Sequence, residues 1–375
     1  MDKKKILFVS NSPLMVTGYA KVINELGKRL TNDYVIAVAA AGYNGMPIQK
    51  NGMLIYQRFD SGIDLLPSII NNFKPDFTIM LDDTFTQVRE GLHNLDYSST
   101  ILILYVPSDG FPLPFTSEPI LKKADYIVPM SKFTKYCLEA EGYKTTDVIW
   151  HGVDTKELFP ISKEEKSKLK KQFGLDPNDF VVLNISRNSL RKANHRLLLA
   201  QAILAKKYPK MKFYNHISMA NAVDLNLIDF VERVIPLELG KKYKGLLNKQ
   251  IIFSPYAFTL NAGAPERIIN QMHQMSDLYL NLTTGEGFCI PVASAISCGV
   301  PAIQTDFTTT EELLLKTPVG QTGLGIKVAA EHYASFSVKH AFADIDDAVK
   351  KVEELYKNKR LYEKLSKNGR KFAEE

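Results

Sequence analysis

Short apolar runs recur along this chain, separated by stretches of helical spacing. Ile6 to Ser10, Tyr34 to Ala41, Phe77 to Leu81, Ile101 to Val106 and Tyr126 to Met130 come first; Phe180 to Ser186, Phe213 to Ile217, Ile251 to Phe253, Leu278 to Leu282 and Pro301 to Gln304 follow. Between them, Tyr19 to Leu30, Ser131 to Gly142, Ala193 to Lys207, Ala264 to Met275 and Pro291 to Cys298 read as helices, the first through Val22, Ile23, Leu26 and Leu30. Strands alternating with helices argue for parallel, doubly wound sheets. With 375 residues and 45% apolar composition, the expectation is an α/β chain of two such domains. They are placed at residues 1–160 and 161–358, with the charged run Ser162 to Lys171 as the linker region and residues 359–375 starting a further helix.

Composition narrows the function class. Cys137, Cys289 and Cys298 are odd in number and widely spaced, so neither a disulfide framework nor a zinc ribbon is suggested, and a reducing compartment fits. Lys3 to Lys5 followed by Ile6 to Val9 imitates a secretory leader, but Asn11, Ser12 and Pro13 end the apolar run too early. No stretch approaches the roughly 20 apolar residues of a membrane span, and a cytoplasmic location is expected. The net charge of +6 is mild. The clusters Lys163 to Lys171 and Lys241 to Lys249 read first as solvated faces, with peripheral contact to the inner face of an anionic membrane as the alternative. Neither interleaves aromatics as a nucleic-acid reader does, so no nucleic acid is expected.

Phosphate and carboxylate chemistry collects at the predicted strand ends. The loop after the first strand, Asn11 to Gly18, lacks G-x-G-x-x-G, which weighs against a dehydrogenase-type dinucleotide site there. Gly18 serves either a phosphate contact or a plain turn. Asp82 and Asp83 leave one strand and read as surface or cap residues rather than metal ligands. Pro107-Ser108-Asp109-Gly110-Phe111-Pro112 reads as a rigid loop at a strand's carboxyl end, holding the Asp109 carboxylate towards a cleft. His151 stands alone and reads as ordering its loop. Arg187, Arg191 and Lys192 lie where a strand turns into a helix, so side-chain cations add to the positive end of the helix dipole. Thr283-Thr284-Gly285-Glu286-Gly287-Phe288-Cys289-Ile290-Pro291 follows another strand, with the glycines allowing a tight turn and close backbone approach and Pro291 opening a helix as its first residue. Asp344-Ile345-Asp346 has the form of a metal motif but reads as a helix cap.

The pattern Glu286-Gly287-Phe288-x-x-Pro291, then a small-residue helix and Cys298-Gly299-Val300-Pro301, resembles the donor-site signature of retaining glycosyltransferases of the GT-B fold, family 4 type (group 1 glycosyl transferases). The spacing from Arg187 to Lys192 resembles the arginine and lysine that hold the donor diphosphate in that family. The resemblance implies two Rossmann-like domains facing across a cleft. It implies a metal-independent retaining hexosyltransferase that needs no cofactor and takes a nucleotide sugar as substrate and a glycan, lipid-linked or protein acceptor. Arg187, Lys192, Glu286 and Asp109 would be catalytic, Asp109 either positioning the sugar or acceptor hydroxyl or stabilising its turn. Gly18, Gly285, Gly287, Phe288, Cys289, Ile290 and Ser294 would line the donor. The family carries a second glutamate eight residues after the first; here that residue is Ser294. The alternatives are a non-catalytic nucleotide-sugar-binding module and, less favoured, a GT-B isomerase or phosphorylase.

Overall fold

The computed structural model describes residues 3–218, 225–256 and 258–375. The chain forms two compact units: Met1–His151 with Leu260–Ala262 and Tyr333–Lys339, and Gly152–Thr259 with Gly263–His332 and His340–Glu375.

The first unit is built on β1 (Lys5–Asn11), β2 (Val35–Ala41), β3 (Ile48–Lys50), β4 (Met53–Gln57), β5 (Phe77–Leu81), β6 (Ile101–Val106) and β7 (Tyr126–Pro129). Their order across the sheet is β3-β4-β2-β1-β5-β6-β7. All neighbours are parallel except β3 with β4. Residues 6–10 and 36–40 are buried throughout, as strands covered on both faces must be. Helix α1 (Gly18–Leu30) is capped by Thr17, whose hydroxyl accepts from the Ala20 N–H at 3.0 Å, and it buries Ala20, Val22 and Ile23. Helix α2 (Lys132–Ala140) is capped in the same way by Ser131, and Gly142 beyond its end adopts φ +85°.

The second unit holds β8 (Phe180–Ser186), β9 (Met211–Ile217), β10 (Ile251–Phe253), β11 (Leu278–Asn281), β12 (Ala302–Thr305) and β13 (Gly323–Ile326). They are ordered β10-β9-β8-β11-β12-β13 and parallel throughout. Packed with them are α3 (Lys163–Gln172), α4 (Asn194–Lys207), α5 (Glu266–Met275), α6 (Ile290–Ser297), α7 (Ile345–Lys357) and α8 (Lys359–Glu374).

The charged run 162–171 is not a linker. It is helix α3, opened by a capping box between Ser162 and Glu165. Two of its lysines are fixed: Lys166 and Lys170 bind the two oxygens of Asp277 at 2.8 and 2.7 Å, and Lys170 also donates to the Asp179 carbonyl. Asp277 in turn accepts from the Val181 N–H at 2.8 Å, so the helix is pinned to the entry of β8. Asp344 does cap α7, accepting from the Asp347 N–H at 2.9 Å. Helix α8 lies against α6, and the contact is close because Gly369 leaves no room for a side chain: a Cβ there would stand 3.0 Å from the Ile296 side chain.

Candidate active site

Each sheet has one place where successive connections leave in opposite directions. In the second unit the chain runs from β8 to β9 and β10 on one side, then returns to β11 on the other. Loops leaving the carboxyl ends of β8 and β11 therefore diverge and open a crevice, the position at which open α/β sheets bind ligands. Residues 187–193 line one wall and residues 282–289 the other.

Glu286, on the second wall, pairs with cations of the first. It is 4% exposed, and its carboxylate is bound by Lys192 through Oε1 and by Arg191 through Oε2 at 3.0 Å. Arg191 also donates to the Gly285 carbonyl, and its own carbonyl accepts from the Thr284 N–H at 2.8 Å, so the two walls are tied together. Burial alone would raise the Glu286 carboxyl. Lys192, and then Arg191, outweigh it and hold the group down to about 2. The crevice thus carries two cations and one anion, a net positive charge matched to an anionic ligand. Arg187, half-buried, is the first residue beyond β8, on the same wall. Ala193 turns the wall into α4 with φ +45°, fully buried.

The second wall differs from expectation in its backbone. Neither Gly285 nor Gly287 has positive φ; Cys289, at φ +76°, and Thr308, at φ +55°, adopt the left-handed conformation instead. Cys289 is the N-cap of α6, and Ile290 is its first residue, so Pro291 stands second. Phe288 and Cys289 are buried, and burial, followed by the Glu286 charge, pushes the Cys289 thiol up to about 12, which keeps it a neutral packing group. Ser294 lies in the second turn of α6 and is 3% exposed.

The end of β12 and the threonine-rich loop after it hold this wall in place. Thr305 Oγ1 donates to the Thr283 carbonyl at 2.6 Å, Thr309 Oγ1 to the Phe288 carbonyl at 3.3 Å, and Thr308 Oγ1 accepts from the Glu286 N–H at 3.0 Å. Behind them Asn281 donates to Gln304, and Gln304 to Thr310. Sequence reasoning assigned no role to residues 306–310. The run Thr308-Thr309-Thr310 was the available signal, but which carbonyls it serves depends on the neighbouring strand.

The first unit repeats the topology. Its crevice lies beyond β1 and β5, whose ends are joined by Ser10 Oγ donating to the Leu81 carbonyl at 2.6 Å. Gly18 is exposed as the first residue of α1, and Tyr19 donates to Asp83 at 2.9 Å. Burial, with the Asp83 charge next, pushes the Asp82 carboxyl up to about 7. Asp109 is half-buried in the loop after β6, where Ser108 Oγ closes the turn onto the Gly110 carbonyl at 2.7 Å. His151 Nδ1 meets the Tyr105 hydroxyl at 2.8 Å, and burial lowers its imidazole to about 4. That is an ordering contact of a neutral ring.

Glu286, Lys192, Gly285, Gly287, Phe288, Cys289 and Ile290 are thus brought together with Arg191, and Arg187 shares their strand edge. Gly18 and Asp109 occupy the carboxyl edge of the other sheet.

No protein-family profile matches the chain. Among curated proteins, it is 23% identical over 272 residues to the putative glycosyltransferase EpsD of Bacillus subtilis (strain 168), an alignment covering 72% of this chain and 60% of that protein's length. Among solved structures, it superposes on sucrose-phosphate synthase from Thermosynechococcus elongatus with a TM-score of 0.74 at 13% identity, covering 99% of this chain and 94% of the other. Anabaena HepE in complex with UDP and glucose gives 0.70 at 17% identity, covering 99% and 94%. A glycosyltransferase from Rickettsia africae ESF-5 gives 0.68 at 16% identity, covering 100% and 94%. The chain has the GT-B glycosyltransferase fold.

Proposed function

On this GT-B fold we propose a glycosyltransferase that moves a hexose from a nucleoside-diphosphate donor to an acceptor hydroxyl, with retention at the anomeric carbon and without an obligatory metal. The observation that carries it is the buried Glu286 carboxylate bridged by Arg191 and Lys192 at the second unit's crevice. HepE, a neighbour in fold, was solved with UDP-glucose, which supports a nucleotide sugar as the ligand.

The chemistry follows from charge. The bond from the anomeric carbon to the phosphate oxygen breaks with its electron pair, so negative charge grows on the diphosphate and positive charge on the sugar ring. Lys192, Arg191 and Arg187 stabilise the first; removing one such preorganised donor typically costs about 3–4 kcal/mol of transition-state stabilisation. Glu286 accepts from hydroxyls of the transferring sugar and orients it. The acceptor oxygen attacks on the face the diphosphate leaves, and its proton passes to the departing phosphate oxygen. Asp109 of the first unit is the candidate for orienting the acceptor hydroxyl, which belongs to a glycan, lipid-linked or protein acceptor, the lipid-linked case fitting peripheral membrane contact.

Ser294 favours a second reading, a module that binds the nucleotide sugar without transferring it, because the resembling family places a carboxylate there. Release of nucleoside diphosphate from a panel of nucleotide sugars, with and without EDTA, separates the two. Transfer is expected to survive EDTA; loss restored by manganese or magnesium contradicts metal independence, and binding without release favours the module.

A further inference from the structure

Thr308 occupies a conformation that its side chain opposes. At φ +55° it stands in the left-handed region, where a β-branched residue is a genuine outlier and glycine is the unstrained choice. Such strain persists where the surroundings over-determine it, and it concentrates at ligand clamps. The other threonines already fix the wall: Thr305, the last residue of β12, holds the Thr283 carbonyl, and Thr309, in the loop after it, the Phe288 carbonyl. What the left-handed turn adds is the position of one hydroxyl. Thr308 Oγ1 accepts from the Glu286 N–H at 3.0 Å, which spends that main-chain donor inside the protein. A threonine hydroxyl both accepts and donates, and its remaining proton has no protein acceptor among the described residues. The side chain is only half-buried, at the carboxyl edge next to the residue whose carboxylate faces the two cations. Accepting from an N–H polarises the hydroxyl and strengthens it as a donor.

We propose that Thr308 is a sugar-contacting residue: its hydroxyl donates to an oxygen of the same hexose that Glu286 orients, so that a sugar hydroxyl gives its proton to the carboxylate and accepts one from Thr308. The proposal rests on the donor reading above. It makes Thr308 a specificity determinant for the sugar and not for the nucleotide, because a site that pairs both sides of one hydroxyl discriminates against a sugar that lacks it.

The test titrates the full chain and its Thr308→Gly, Thr308→Ser and Thr308→Val variants with UDP-glucose, UDP-galactose, UDP-N-acetylglucosamine, GDP-mannose and ADP-glucose, and with UDP, GDP and ADP. Unfolding midpoints are measured alongside. Thr308→Gly relieves the backbone strain, so its midpoint is expected to equal or exceed that of the native chain. Its affinity for the best-bound nucleotide sugar is expected to fall about tenfold, with affinity for the parent diphosphate held within about twofold. Thr308→Ser keeps the hydroxyl and retains sugar affinity within about threefold; Thr308→Val keeps the shape and loses it. Should the glycine variant be less stable, the serine and valine pair decides by the same criterion. Sugar affinity unchanged in Thr308→Gly or Thr308→Val overturns the proposal, as does an equal loss for the diphosphate alone. A native chain that binds none of the eight ligands overturns the donor reading itself, an outcome visible before any variant is compared.

Discussion

Glu286 is paired by two cations, Arg191 and Lys192, of which the family resemblance had assigned Lys192 to the donor diphosphate. Lys192→Ala is therefore expected to carry a stability cost beside the catalytic one proposed for it: a buried carboxylate losing a partner costs up to about 3–5 kcal/mol, reduced here by the remaining Arg191. The pH dependence follows from the same pairing. The folded carboxyl is held at about 2 against an ordinary 4.5, so the fold gains stability from the ionised form above pH 4.5 and loses it as pH falls towards 2. Glu286→Gln is expected to remove that dependence while lowering the neutral-pH midpoint. A native acid limb between pH 4.5 and 2 that persists unchanged in Glu286→Gln would assign it to other groups. Ser294 also changes meaning once its burial is known. At 3% exposure a glutamate overpacks the helix face, with a typical cost of about 1–3 kcal/mol, so Ser294→Glu is expected to lower the melting temperature. Ser294→Asp is the cleaner probe of a ribose contact: donor KM is expected to fall with kcat little changed, and an unchanged KM in a folded variant shows that the ribose is held elsewhere.

At the scale of elements, the strands were legible because burial on both faces writes a continuous apolar run. Phe180–Ser186 and Ile101–Val106 match that reading at both ends. The run 162–171 was misread because its charges suggest solvent, whereas Lys170 finds Asp277 more than a hundred residues away. The left-handed turns at Cys289 and Thr308 left no mark either, since neither residue favours positive φ and each is held there by the surrounding structure. The two-stranded ribbon of Val328–Tyr333 and Lys339–Ala343 was missed too: five of the six residues of its first strand are exposed, so it carries no buried run. The packing of α8 on α6 gives a test at this scale. Gly369→Leu is expected to lower the midpoint despite leucine's higher helix propensity, because its first carbon would meet Ile296 at 3.0 Å. A midpoint equal to or above the native value would show that the two helices part without cost.

Over the whole molecule, the two crevices were not legible from spacing and periodicity, because strand order is decided by pairing between distant segments; only the family resemblance brought the two motifs to one donor site. Knowing that β8 is central turns two separate motifs, 187–192 and 283–291, into opposite walls of one site. Each motif carried a resemblance by itself; only the fold explains why they must meet. The site so formed is the one proposed to hold a nucleoside-diphosphate sugar through Lys192 and Arg191. Calorimetric titration of UDP-glucose, GDP-mannose and ADP-glucose into the native chain and into folded Lys192→Met tests it most directly. Saturable binding of at least one of the three by the native chain is expected, with an affinity at least about tenfold lower in the variant, the loss of one charge-assisted hydrogen bond. Equal affinity in the two proteins, or no binding by the native chain, would contradict it.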